Sequence, residues 1–170
     1  MKRILILLLI VALLTPVLFG CQRENTEILS PVNFYYPKAV YSYGSADSVL
    51  GSEQRETAGF EGDFRYIMNL YLQGPTSSEL VSPFPAGITV FSLYFKKGCA
   101  YLILNEAFSK LTGLELTLAC TAIAKTIAEM TNMKSVDISV KSHELDGSDH
   151  IILNIEDILL LDSSASPTNP

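Results

Sequence analysis

Hydrophobic and polar positions divide the chain into a leader, a series of short periodic segments and a polar tail. Fifteen of the first twenty residues are hydrophobic. Lys2 and Arg3 precede an unbroken apolar run from Ile4 to Leu14, which Thr15-Pro16 ends. Eleven residues at 1.5 Å rise span about 16 Å, against ~30 Å of hydrocarbon core. The run therefore predicts a secretory leader over 1–20 rather than a membrane span. Gln22 to Pro31 is short and polar, which predicts a tether over 21–31.

The periodic segments start at Val32. Val32-Asn33-Phe34-Tyr35-Tyr36, ended by Pro37, predicts a strand, and a second is expected near Glu53–Thr57 after an irregular Tyr41–Gly51 connection. Phe60, Phe64, Ile67, Met68 and Tyr71 recur at steps of three and four, which predicts a helix over Gly59–Gln73. Glu61 and Asp63 sit at its positive end, and Gly74-Pro75 stops it. Ile88–Phe95 and Cys99–Leu104 read as strands joined by a Lys96-Lys97-Gly98 turn. Cys99–Leu104 is apolar on both faces, so it is either covered twice or exposed on one face for contact.

The strongest helical pattern runs through Leu116, Ala119, Cys120, Ile123, Ala124, Ile127 and Met130. Thr112 is its expected N-cap, Glu115 the capping-box partner and Asn132 the C-terminal cap. Val136, Ile138 and Val140 alternate with polar neighbours, and Ile151–Ile155 returns beyond a Leu145-Asp146-Gly147-Ser148 turn. The order β-β-α-β-β-α-β-β predicts an α+β domain over 32–161, a mixed or antiparallel sheet with two helices packed on it. Residues 162–170 read as a disordered tail.

Charge narrows the function. The chain carries net charge −6, and beyond residue 20 ten bases face eighteen acids. That balance argues against nucleic acid and against electrostatic adhesion to anionic lipid. Leu18-Phe19-Gly20-Cys21 resembles the bacterial lipobox. The resemblance implies that Cys21 carries a thioether-linked diacylglycerol, a palmitate-type anchor, and becomes the mature N-terminus on the extracytoplasmic face of the cell membrane. Two long acyl chains hold a protein on a bilayer where one is marginal. Cys99 and Cys120 remain, and two cysteines form no disulfide framework, so free thiols are expected.

Candidate chemistry is thin. His143 and His150 flank a turn with Glu144, Asp146 and Asp149; metal binding would need them to converge at about 2.0–2.2 Å, and a solvated polar turn is the expectation. No serine sits in a recognisable nucleophile setting. Asp47, Glu53, Glu56, Glu61 and Asp63 show no spacing that enforces the carboxyl pair of a glycosidase, about 5–9.5 Å apart. Tyr35, Tyr36, Tyr41, Tyr43 and Tyr66 could stack on sugars, but strand and core roles are expected. No metal, cofactor or small-molecule substrate is implied.

The run Tyr71-Leu72-Gln73-Gly74-Pro75-Thr76, followed by Leu80-Val81-Ser82-Pro83-Phe84-Pro85-Ala86-Gly87, resembles the signature of the GerMN domain family of sporulation and germination proteins. Gly98-Cys99-Ala100-Tyr101-Leu102, Leu111-Thr112-Gly113 and Val136-Asp137-Ile138-Ser139-Val140 support it, so the match spans about Val32 to Val140. Lys125 stands where asparagine is usual and Ile103 where an acid is common. Thr131-Asn132 replaces a Pro-Gly type connection. Gln73, Gly74, Pro75, Thr76, Pro83, Pro85 and Gly87 are the motif residues, structural or at an interface. The resemblance implies a single-domain, non-enzymatic lipoprotein that assembles with sporulation or envelope proteins or with its own copies, ring-type assembly included. The alternative is a lipoprotein that binds or remodels peptidoglycan, with tyrosines and acids gathered in one groove.

Overall fold

The computed structural model describes residues 31–40, 49–60 and 62–162, the last four by backbone alone. The leader, Cys21, most of the tether, Tyr41, Tyr43, Asp47, Glu61 and the tail from 163 lie outside the described residues. Strands β1 (Val32–Pro37) and β2 (Leu50–Arg55) pair antiparallel as a two-stranded sheet. Helix α1 (Phe64–Leu72) follows. Strands β3 (Val90–Lys96) and β4 (Cys99–Leu104) form a hairpin. A 3₁₀ turn over Glu106–Lys110 leads into α2 (Gly113–Met130), which carries the chain to β5 (Ser135–Val140), parallel to β4. Strand β6 (His150–Asn154) returns antiparallel, and α3 (Ile155–Asp162) ends the described chain. No helix among the described residues is long and apolar enough to cross a membrane.

The fold is α+β with a mixed sheet, as the segment order predicts, but the strands divide into two sheets. The larger runs β3-β4-β5-β6, and β1-β2 stands apart. The reason lies at β1's free edge, where a helix takes the place of another strand. The Tyr35 N–H donates to Thr126 Oγ1 of α2 at 3.0 Å, and the Tyr35 carbonyl accepts from the Tyr71 hydroxyl of α1 at 2.8 Å. Side chains thus satisfy backbone groups that would otherwise recruit a further strand.

Local chemistry explains most boundaries. Lys97 and Gly98 both take positive φ (53° and 77°), the mirror-image turn that suits a two-residue hairpin loop. Helix α1 begins later than the periodicity predicts, because the Asp63 carboxylate accepts the Tyr66 N–H at 2.9 Å and fixes the start there. Phe60 therefore falls before the helix, exposed and stacked on Tyr66 at 4.1 Å. Strand β2 starts at Leu50 rather than Glu53, which takes Leu50 and Gly51 out of the expected connection. Strand β3 starts at Val90, two residues after the expected Ile88.

Both expected caps of α2 are replaced. Thr112 is extended at the N-cap, but its side chain makes no capping bond, and Glu115 is exposed. The Asp146 carboxylate from the β5–β6 turn accepts the Gly113 N–H instead, at 3.4 Å. At the other end Thr131, not Asn132, closes the helix by donating its hydroxyl to the Ile127 carbonyl at 2.7 Å. Helix α3 was not predicted. Its run Ile155-Glu156-Asp157-Ile158 is too short to show a period, and Ile155 was assigned to the return strand.

The core lies between the large sheet, the helices and β1. Ala100, Leu102, Leu104, Val136, Ile138 and Val140 meet Phe108, Ile123, Ile127, Ile67, Met68 and Phe34, all buried. Strand β4 is interior in the sheet, with one face in this core. On the other face Tyr101 stacks parallel on Tyr94 at 4.9 Å, and no described element covers them. Cys120 is buried and Cys99 half-buried, both as free thiols; burial pushes the Cys120 thiol up to about 12. Leu102 is fully buried at the sheet centre, so Leu102→Ala should lower unfolding free energy by about 2–5 kcal/mol in urea titration.

Candidate functional site: a clasped turn and the groove beside it

Gln73 ends α1 as its C-cap residue, and Gly74 follows at φ +92°, a conformation that L side chains rarely adopt. A Cβ there would lie 3.1 Å from the Ser82 Cβ, so the turn is closed sterically as well as conformationally. Pro75 then prevents the helix from resuming. These three residues explain why the chain leaves α1, but they do not hold the segment that follows.

That task falls to β2. Glu53 and Arg55 lie two apart and so share a face of the strand. One Glu53 carboxylate oxygen accepts the Thr76 N–H at 2.9 Å, the Thr76 hydroxyl at 3.1 Å and the Ser77 N–H at 3.1 Å. The other accepts Arg55 Nε at 2.6 Å, while Arg55 Nη2 donates to the Gly74 carbonyl at 3.1 Å. The pair thus grips both sides of the Gly74-Pro75-Thr76 turn. The Glu53 side chain is only 10% exposed. Its burial raises the carboxyl pKa, but the bonds from Ser77, Arg55 and Thr76 outweigh this and hold it below the ordinary 4.5.

The second half of the motif runs beside β1. The Ala39 N–H donates to the Glu79 carbonyl and the Val81 N–H to the Pro37 carbonyl, each at 2.8 Å, so Glu79-Leu80-Val81 lies along the end of β1. Phe84 packs edge-on to Tyr71 at 5.1 Å and to Tyr36 at 6.4 Å. Tyr36 is itself fully buried and donates its hydroxyl to the Tyr71 carbonyl at 2.7 Å; burial raises its pKa. Gly87 ends the motif with its carbonyl on Asn105 Nδ2 at 2.8 Å, and Asn105 Oδ1 accepts the Thr89 N–H. Pro83 and Pro85, with Pro37, Val81, Leu111 and Leu118, line a groove of about 420 Å³ that Lys38 and Glu115 flank.

The motif residues from Gln73 to Gly87 thus build one continuous structure: a clasped turn, a strap on β1 and a groove wall. The other candidates do not gather there. His143 Nε2 lies 3.9 Å from Glu106 and His150 Nδ1 lies 3.5 Å from Asp137, so each histidine has its own carboxylate. Among the described residues no three His, Cys, Asp or Glu side chains could hold a metal ion. Tyr35 faces α2, with Lys125 Nζ 4.6 Å from its ring centroid and its hydroxyl 3.4 Å from Glu129. Tyr66 stacks on Phe60. The tyrosines therefore form no common groove among the described residues.

Sequence reasoning weighed Glu53 only as a possible catalytic acid and passed over Arg55. The available signal was a pair of opposite charges two apart on one strand, near a turn rich in unspent N–H groups. Glu53→Ala should cost about 2–3 kcal/mol, because it leaves the Thr76 and Ser77 donors and the Arg55 charge without their partner. Glu53 titrates low in the folded state, so its stabilisation is present above pH 4.5 and is lost as pH falls through the folded value. Glu53→Gln should therefore flatten the acid limb of a stability–pH profile measured by denaturant unfolding. Gly74→Ala should cost about 1–3 kcal/mol by the same measurement, through strain at its positive φ.

Comparison with known proteins places this architecture. The family described as "Germane: Sporulation and spore germination" matches residues 33–146, two thirds of the chain. Among solved structures, the tandem GerMN domains of the sporulation protein GerM from Bacillus subtilis superpose with a TM-score of 0.53 at 20% identity. That match covers 78% of this chain and 47% of the tandem chain, so this chain spans about half of that protein's domain pair. The first GerMN domain of the same protein alone gives a TM-score of 0.54 at 15% identity, covering 71% of this chain and 92% of that one. Among curated proteins no sequence matches. With two thirds of the chain matched by the family model and the fold shared, the chain belongs to the Germane family of sporulation and spore germination domains and has the GerMN fold.

Proposed function

We propose that this protein is an extracytoplasmic lipoprotein, anchored through Cys21, whose GerMN domain works by protein–protein contact in the envelope of sporulating or germinating cells. The observation that carries this reading is how the motif is used. Its first half is spent on the clasp, while its second half leaves an apolar wall facing outward, with Val81 49% exposed beside Pro83 and Pro85. A proline-lined, largely apolar wall of this kind suits recognition of a partner surface. Its partner is an envelope protein or a further copy, and the role is non-enzymatic.

Two outcomes test the reading. Cys21→Ala should release the protein from membranes or leave its leader uncut, as read by fractionation and mass; normal anchoring of the variant overturns the lipid anchor. Val81→Asp alters only the groove wall and should shift thermal unfolding by no more than about 2 °C. It should nevertheless lower spore yield or germination, scored separately, to the level of a deletion strain. A deletion strain normal in both overturns the biological assignment. Retention on purified cell wall would favour the peptidoglycan-binding alternative.

A further inference from the structure

Strand and helix directions place the following features at one end of the domain. Asn33 Nδ2 donates to Glu129 Oε1 at 2.8 Å, and Tyr35 meets Thr126, so β1 starts beside the C-terminal end of α2. Lys134, just past that end, donates its N–H to the Gly98 carbonyl at 2.8 Å, which puts the Lys96-Lys97-Gly98 turn at the same end. Arg55 pairs with Val32, so β2 also ends there. Five residues later comes Phe60, and the Phe64 ring meets Phe95, the neighbour of Lys96, at 4.8 Å.

This end carries both an exposed aromatic pair and exposed cations. Phe60 and Tyr66 stack at 4.1 Å and 19° while 44% and 43% exposed, so the two rings present one joint aromatic surface to solvent. Arg65, Lys96, Lys97 and Lys134 surround the region and are exposed. It is also where the chain enters the domain. Nine residues lie between Cys21 and Pro31, and the ten steps reach at most about 35 Å, so this end lies within that reach of Cys21.

We infer that the entry end of the domain is a second membrane contact, with Phe60 and Tyr66 seated among phospholipid headgroups and Lys96 and Lys97 on lipid phosphates. Aromatic rings with an apolar body and a polar tip favour that depth, and lysines beside them reach the phosphate layer. The occupant is a lipid surface rather than a protein because the anchor already holds this end within chain reach of the bilayer. Charge alone would not suffice. Glu56, Asp63, Glu129, Glu156 and Asp157 lie at the same end and offset the cations beyond a Debye length of about 10 Å. The rings therefore carry the contact, and it should form on zwitterionic as well as anionic lipid.

The inference rests on the anchored reading above, and one experiment separates the two. The chain contains no tryptophan, so Phe60→Trp in the full chain supplies a single reporter at an exposed aromatic position. The protein is reconstituted with phosphatidylcholine vesicles, with and without one part in four phosphatidylglycerol, containing lipids brominated near the headgroup end of the acyl chain. A blue-shifted indole, quenched about twofold or more on both compositions, is expected for a ring at the interface. Lys96→Glu with Lys97→Glu should weaken that quenching. Protein that floats with the vesicles while its indole stays unshifted and unquenched overturns the inference and leaves the anchor standing. Quenching that is equal in a Cys21→Ala background overturns the anchor and leaves the inference standing. A chain that neither floats nor shows quenching overturns both.

Discussion

One helix is buried beyond a single face, leaving the stripe Thr117, Thr121, Lys125 and Glu129 partly or fully open, and the rest of the fold answers to that. From Leu116 to Met130, α2 buries Ala122 and Thr126 as well as its expected stripe. A helix buried over more than one face needs cover from more than one element. The large sheet supplies one cover and β1 the other. The arrangement succeeds because the one polar side chain that α2 buries, the Thr126 hydroxyl, meets a strand N–H that needs an acceptor. Burying an unpaired hydroxyl there would cost about 1–3 kcal/mol; bonded, it fixes the register between strand and helix.

The same logic governs the motif. Its turn comes from conformational restriction, and its position comes from a half-buried carboxylate and guanidinium on β2. Turn and clasp are separated by about twenty residues of sequence, and each is incomplete alone. The groove wall beyond them is rigid because Phe84 is locked edge-on against two tyrosines whose hydroxyls are already committed to backbone carbonyls.

Legibility in the sequence followed the range of the interaction. Strands and helices with strong periods, such as β1, β5 and α2, were readable because burial on one face imposes period two or 3.6. The Lys97-Gly98 turn was readable because its chemistry is local. What escaped was tertiary. Thr112 looked like an ideal cap, yet Asp146, 33 residues on, binds the helix's first N–H. Glu53 looked like a stray acid, because its donors at Thr76 and Ser77 come from another part of the chain. The division into two sheets was hidden for the same reason, since no local pattern reports that a hydroxyl on a helix will occupy a strand's edge. The motif residues were found through family resemblance, whereas their clasp needed coordinates.

The bond between Tyr35 and Thr126 joins residues 91 apart. A chain that emerges N-terminus first exposes β1 early, yet α2, which must receive it, is made last but for one hairpin and a short helix. Loop-closure entropy is met late, and the apolar strand Val32-Asn33-Phe34-Tyr35-Tyr36 waits unsheltered in the meantime. Maturation of this domain is therefore set by the arrival of a distant segment, and the interval before it is when the nascent chain is most open to aggregation or capture by a chaperone.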